Sequence, residues 1–327
     1  MSKILKKLLL LQLLINFSLS NSFSQDVPDE QWNTNFQGKT IRNIIIKTYN
    51  VAESFDEIKN YTDSSWINSA VNSLHYKTRD WVIQENLLFE KGDKINFREL
   101  YESERLLRST NLFVQVKINL YNVPNSSSDA DVEILTIDRW TLTFLAKYDP
   151  GDKSGYSGLK DINFIGLGHR ADAVVTFSTD PTVGLGGRFR YIVPNIKGSF
   201  INAGIRLEAN KKYSLKSINL TRPFITYTKE WIGGIELKWE RNTLNIKDTS
   251  GLTVAKSLSK KNQDLWAGKI FQLDIDNFLF KRNSNLITSA RIFTQNFSER
   301  PFNPFQYRIF ENSTMFLFGA GIITRSF

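Results

Sequence analysis

Two hydrophobic periods divide the chain. From Asn72 to Leu120 the apolar positions follow helix, turn, helix and strand in one pass. Val82, Ile83, Leu87, Leu88 and Phe89 form a first apolar cluster that ends at Lys91-Gly92-Asp93, where Gly92 can take the positive φ that stops a helix. A second helix is expected to start at Asn96. Its side chain can cap the free N–H groups, and Glu99 stands three residues on. Leu100, Ser103, Leu106 and Leu107 then share one face, and Glu104 and Arg108 are spaced to pair. From Phe113 the period shortens to two. Val114, Val116, Ile118 and Leu120 alternate with Gln115, Lys117 and Asn119, as in a half-buried strand. Further strands are expected around Ile41, Ile44 and Ile46 and over 131–136.

After Asp138 the helical period disappears. Segments of roughly ten residues alternate apolar and polar positions between clusters of Gly, Pro, Asn, Asp and Ser. His169 to Phe177, Ser199 to Ala209, Trp231 to Glu240 and Met315 to Arg325 are examples, and about eight or nine such strands follow Trp140. In Trp231 to Glu240, Trp231, Gly233, Ile235, Leu237 and Trp239 face one way and Gly234, Glu236, Lys238 and Glu240 the other. Long strands with one apolar face, aromatic ends and a charged reverse face are what a transmembrane β-barrel requires. A soluble sandwich shows the same alternation, but without a partner for so charged a second face. Trp231, Ile235, Leu237 and Trp239 are the expected lipid-facing residues.

Charge is divided in the same way. Residues 1–138 carry 15 Lys and Arg against 18 Asp and Glu, a balance of −3, whereas 139–327 carry 27 against 15, a balance of +12. Such a split marks two environments. Met1 to Gln25 has a basic start at Lys3, Lys6 and Lys7, an apolar run from Leu8, and small residues Ser22 and Ser24 before a cut. This is the pattern of a secretory signal over 1–24. A linker over 25–39, an α+β domain over 40–138 and a β-barrel, or the N-terminal part of one, over 139–327 complete the expected organisation. The irregular run from Tyr49 to Asp63 is read as an insertion, and Trp66 to Leu74 as an extension of the helical layer.

Chemistry-bearing motifs are missing from the sequence. There is no cysteine, no His-Glu-x-x-His, no Gly-x-Ser-x-Gly and no P-loop. Only two histidines occur, His75 and His169. His75 has no second ligand at metal spacing and is expected to be structural; His169 reads as a strand-end residue. No catalytic residue, metal, cofactor or nucleic-acid partner is expected.

Leu87-Leu88-Phe89-x-x-Gly92-Asp93, Glu102-Ser103-Glu104-Arg105-x-Leu107-Arg108 and Phe113-Val114-x-Val116 together resemble a POTRA domain, the periplasmic module of the BamA-type family of outer-membrane assembly and secretion barrels. Gly158-Leu159-x-Asp161-x-Asn163-Phe164-x-Gly166-x-Gly168 resembles the segment between the first two barrel strands of that family. Asp161, Asn163, Phe164, Gly166 and Gly168 are the residues that carry this likeness. The resemblance implies an outer-membrane barrel with its N-terminal domain in the periplasm. Its implied partners are lipid, unfolded outer-membrane or secreted clients, and accessory assembly proteins. The family barrel has sixteen strands, so this chain is expected to be a truncated or split form, or a partial gene, with a complete small eight-stranded barrel as the alternative. An edge strand of the α+β domain presents unpaired backbone groups to which a client strand can add; Phe113, Val114, Val116 and Ile118, or Ile41 to Lys47, would form that edge. The competing reading is a secreted or surface-bound β-rich protein that binds carbohydrate or another ligand.

Overall fold

The computed structural model describes residues 32–51, 75–225, 230–247, 251–273, 284–301 and 310–324. The expected signal, the insertion after Tyr49, the Trp66 to Leu74 helix and the C-terminal Arg325 to Phe327 lie outside them.

The N-terminal module contains strand β1 (Thr40–Tyr49), helices α1 (Asp80–Gln84) and α2 (Phe97–Ser109), and strands β2 (Phe113–Asn122) and β3 (Asp129–Asp138). Its sheet runs β1-β3-β2, with β3 parallel to β1 and antiparallel to β2. One face of the sheet meets the helices. Leu100, Leu106 and Leu107 of α2 and Val82 and Ile83 of α1 are buried, as are Val116, Ile118, Val132 and Ile134 of the strands. Ser103 keeps its place on that apolar face by bonding at both ends: its hydroxyl donates to the Glu99 carbonyl at 2.7 Å and accepts from the Leu88 N–H at 2.9 Å. Asn96 caps α2 by accepting from Arg98 N at 3.1 Å, and Glu104 pairs with Arg108 one turn on.

Three local expectations change. The first helix ends at Gln84, so Leu87, Leu88 and Phe89 lie beyond it, and Asn86 folds back onto the Val82 carbonyl at 2.7 Å. Gly92, at φ +96°, serves a turn that places Gly92 to Ile95 against the start of β1, bonding Gly92 N to Ile41 O and Ile41 N to Asp93 O, both at 2.9 Å. Val114 is 58% exposed, although the two-residue period buries it, because a bulge between Phe113 and Gln115 shifts the pleat there. In the expected linker, Phe36 joins the core and Trp32 packs on Phe97 with ring centroids 5.8 Å apart.

The other face of this sheet carries a polar cluster. Glu133 takes Lys47 at 2.6 Å, Tyr121 at 2.8 Å and Asn119 at 3.3 Å. Burial pushes the Glu133 carboxyl up, but these three donors outweigh it and hold the group below its ordinary 4.5. Asp131, bonded to Arg42, is likewise lowered. A carboxyl depressed by folding stabilises the fold at pH above its unfolded value and loses that contribution as pH falls through the folded one. The thermal midpoint of the module should therefore fall as pH drops below about 4.5. Glu133→Gln should make that acid limb shallower in a pH series followed by circular dichroism.

The second half is one antiparallel sheet of ten strands in chain order: β4 (Leu142–Asp149), β5 (Ser154–Phe164), β6 (His169–Ser178), β7 (Gly186–Val193), β8 (Asn202–Ala209), β9 (Tyr213–Arg222), β10 (Trp231–Lys247), β11 (Thr253–Leu273), β12 (Ser284–Glu299) and β13 (Ser313–Thr324). Ten strands replace the expected eight or nine, and β10 to β12 are far longer than ten residues because their alternation continues past the apolar stretch with polar residues on both faces. Among the described residues no ladder joins β4 to β13, so the sheet is open. The segment from Gly158 to Phe164 is itself the end of the second strand, paired with β4 across the turn at 150–153, so the glycine motif leads from the second strand to the third.

Candidate functional site

Pairing register decides which side chains share a face. Leu142, Phe144, Ala146 and Tyr148 of β4 lie opposite Asp161, Leu159, Ser157 and Gly155 of β5. The same face continues through Ala173, Phe189, Leu207 and Ile205 to Ile218 and Leu220. It then reaches Leu237 and Ile235 on β10, Leu265 on β11, Ile292 on β12 and Phe316 on β13. Phe144 is 68% exposed, Phe316 66% and Phe318 85%. Large apolar side chains are thus presented outward on all ten strands. A soluble monomer rarely leaves so broad a patch open.

The four residues expected to face lipid, Trp231, Ile235, Leu237 and Trp239, all stand on this face. Eight residues separate the two tryptophans, which is ~26 Å along a strand and ~20 Å in height at a barrel-like tilt of ~40°. That is close to the apolar belt between the aromatic girdles of an outer-membrane wall. Each tryptophan lies under a lysine: Lys269 is 5.4 Å from the Trp231 ring and Lys261 5.8 Å from that of Trp239.

The reverse face is ionic. Asp172 binds Arg190 at 2.7 Å with Arg188 at 3.7 Å, Arg206 binds Glu208 at 2.7 Å, and Glu240 is shared by Lys238 and Lys260, each at 3.2 Å. Asp264 pairs with Arg291 across β11 and β12. The Asp172, Lys260–Glu240 and Asp264 pairs bridge neighbouring strands, Arg206–Glu208 and Lys238–Glu240 run along one strand, and all fit a wetted surface.

The glycine motif forms a docking clasp. Asn163, 1% exposed, accepts from Gly168 N at 2.8 Å and donates to Thr78 Oγ1 at 2.8 Å and to the Tyr76 carbonyl at 3.4 Å. Asp161 Oδ1 takes the Asn163 N–H at 2.9 Å and shapes the approach. Gly166 has φ +72°, its carbonyl takes Arg79 N at 3.0 Å, and a Cβ there would overlap the Lys77 carbonyl. A Cβ on Gly168 would meet Val82 and Leu112. Phe164 turns to the sheet instead and meets the Tyr191 ring edge-on.

A second clasp was not anticipated from the sequence. In the β7–β8 turn Asn195 accepts from Phe200 N at 2.7 Å and donates to the Glu85 carbonyl at 2.7 Å and to Asn86 Oδ1 at 3.1 Å. The two turns have one backbone plan. Ile165, Gly166 and Gly168 have positive φ in the first, and Lys197, Gly198 and Phe200 at the same offsets in the second. The signal was present as Asn-x-x-Gly at 163–166 and again at 195–198. Both clasps hold the segment from Tyr76 to Asn86 and so seat the N-terminal module on one end of the sheet. Burial there also pushes the Glu85 carboxyl up, partly offset by Lys197. His75 supports this seat as a structural residue. It bonds Asp138 at 2.8 Å, and Asp138 also accepts from Thr78 N at 2.7 Å.

β1 and β2 are both edges, with β3 between them. On β2, Val116 and Ile118 point into the core, while their carbonyls accept from Arg108 at 3.1 Å and from the Trp32 indole at 2.8 Å. Phe113 is buried as well, leaving Val114 as the outward side chain of the four named there. Among the described residues no group of three or more His, Cys, Asp or Glu could hold a metal ion.

No protein-family model and no curated protein matches the chain. Among solved structures it is similar to BamA from Haemophilus ducreyi lacking POTRA domains 1–3, at TM-score 0.43 and 12% identity over 81% of this chain and 57% of that one. It is similar to CdiB from Acinetobacter baumannii at TM-score 0.41 and 10% identity, covering 90% of this chain and 70% of the other. For CdiB from Escherichia coli the values are 0.37 and 8%, with 85% and 71% covered. The chain thus spans less than two thirds of the length of the BamA structure.

Proposed function

We propose that this chain is a non-enzymatic outer-membrane protein of the BamA type. Its ten-stranded sheet is barrel wall and its N-terminal module a periplasmic POTRA domain that takes unfolded β-rich clients by strand addition. The observation that carries the reading is the outward apolar face, in register across ten strands and backed by an ionic face. Lipid covers such a face without a second protein layer, and closure of β4 and β13 onto further strands would pair the two backbone edges that the described sheet leaves open. The order β1-β3-β2, with two short helices on one side, suits a module that works through its edges.

Fractionation tests the membrane part. The exported protein should require detergent and migrate differently in gels before and after boiling; a folded monomer in plain buffer would refute it and favour a secreted ligand-binding protein. Trp32→Phe tests the edge. It keeps the ring packing on Phe97 but frees the Ile118 carbonyl. Binding of a fluorescent amphipathic β-strand peptide should strengthen about threefold, the worth of roughly one hydrogen bond. Unchanged affinity would exclude β2 and leave β1 as the receiving edge.

A further inference from the structure

The two ends of the outward face are not equivalent. Lys216 on β9, Trp239 on β10 and Lys261 on β11 stand directly opposite one another in register. Two strand spacings separate the lysines by ~10 Å. Arg241, the next residue on that face, lies level with Ser214 and Ser259 and approaches Glu299 at 3.8 Å. Among the described residues neither Lys216 nor Lys261 has a carboxylate within ion-pair distance. At the end that carries the N-terminal module, Lys269 beside Trp231 is balanced by Glu230 at 3.4 Å. The reverse-face lysines Lys238 and Lys260 share Glu240. At the module end Arg222 of β9 also stands on this face with no carboxylate within ion-pair distance among the described residues, but only at the remote end do two such lysines flank a single indole.

Below that place the surface is hollow. A groove of about 680 Å³ is lined by Lys216, Lys261, Trp239, Ile205 and Ile218, and its one carboxylate, Glu240, is already held by Lys238 and Lys260. It shares Ile205 and Ile218 with a second groove of about 400 Å³, whose further lining includes Leu220, Ile235 and Leu237. A cationic mouth over an indole thus opens into a continuous apolar trough that runs toward mid-belt. Charge at the belt edge and hydrocarbon below it match one kind of molecule, an acylated lipid with a phosphate-bearing headgroup.

We infer that this trough is a binding site for an anionic, phosphorylated lipid of the leaflet remote from the N-terminal module. Lys216 and Lys261 hold the phosphate groups, Trp239 lies at the headgroup boundary, and the Ile205–Ile218 trough takes an acyl chain. The inference rests on the membrane reading of this face.

The test uses the full chain in dodecylmaltoside micelles, with retained lipid counted by native mass spectrometry. The probes are lipid A, which carries two phosphates, dioleoylphosphatidylcholine as the zwitterionic comparison, and inorganic phosphate. Lipid A should be retained at least about tenfold more strongly than phosphatidylcholine. Lys216→Gln with Lys261→Gln should remove that preference, while Lys269→Gln at the opposite end should keep it. All three substitutions are at exposed or half-exposed positions, and the gel-mobility shift on boiling verifies that each variant is folded. Equal retention of the two lipids, an unaffected double variant, or inorganic phosphate displacing lipid A at equal concentration would each overturn the site. A chain that is folded and monomeric without detergent would instead overturn the membrane reading beneath it, so the two failures are separable.

Discussion

Ile235→Arg should cost the inserted protein about 2–4 kcal/mol, the penalty for a cation at the middle of a lipid belt. Ile235 lies midway between Trp231 and Trp239 on the same strand face, so it sits at the greatest depth that β10 offers. Urea unfolding from lipid vesicles gives the number. Thr243→Arg, on the same face but four residues beyond Trp239, should cost at most about 1 kcal/mol. Glu236→Arg, on the ionic face beside Ile235, reports what the bulk of arginine does without lipid. The gradient between positions 235 and 243 is the informative quantity. An outward face that met water would tolerate both arginines. One that met a second protein sheet would show a penalty set by local packing and not by height along the strand.

Asn163→Ala should cost about 2–4 kcal/mol in seating the N-terminal module. The substitution leaves the Gly168 N–H and the Tyr76 carbonyl without their side-chain partner in a site that is 1% exposed, and each such loss is worth about 1–3 kcal/mol. Thr78 can turn its hydroxyl elsewhere, so its share is smaller. Gly166→Ala attacks the same clasp sterically, through overlap with the Lys77 carbonyl and through its φ of +72°. Both should speed tryptic cleavage at Lys77 and Arg79, whose backbone the clasp pins, while leaving the heat-dependent gel shift of the sheet in place. Asn195→Ala should act in the same direction through Glu85 and Asn86. Cleavage at wild-type rate in Asn163→Ala would mean that the module is seated by its apolar contacts, such as Gly168 on Val82, without help from the asparagine.

The sequence by itself determined every property that depends on local period. The two-residue alternation placed Trp231, Ile235, Leu237 and Trp239 on one face, because successive side chains on a strand must point to opposite sides. The 3.6-residue period and the Asn96 cap located α2 within a residue. The positive φ of Gly92 was legible because glycine adopts that backbone at least cost. Tertiary structure decided what depends on neighbours distant in the chain. The first helix stops at Gln84, where Asn86 folds back on the Val82 carbonyl and the Leu88 N–H turns to Ser103 of α2. Val114 faces outward because a bulge against β3 breaks the pleat, and a bulge is a property of two strands. Asn163 and Asn195 became one device only when two turns, 32 residues apart, arrived at the same segment of the N-terminal module. The unbalanced charge over the apolar trough is likewise invisible along the chain: Lys216, Trp239 and Lys261 belong to three strands, and only their hydrogen-bonded register brings them level.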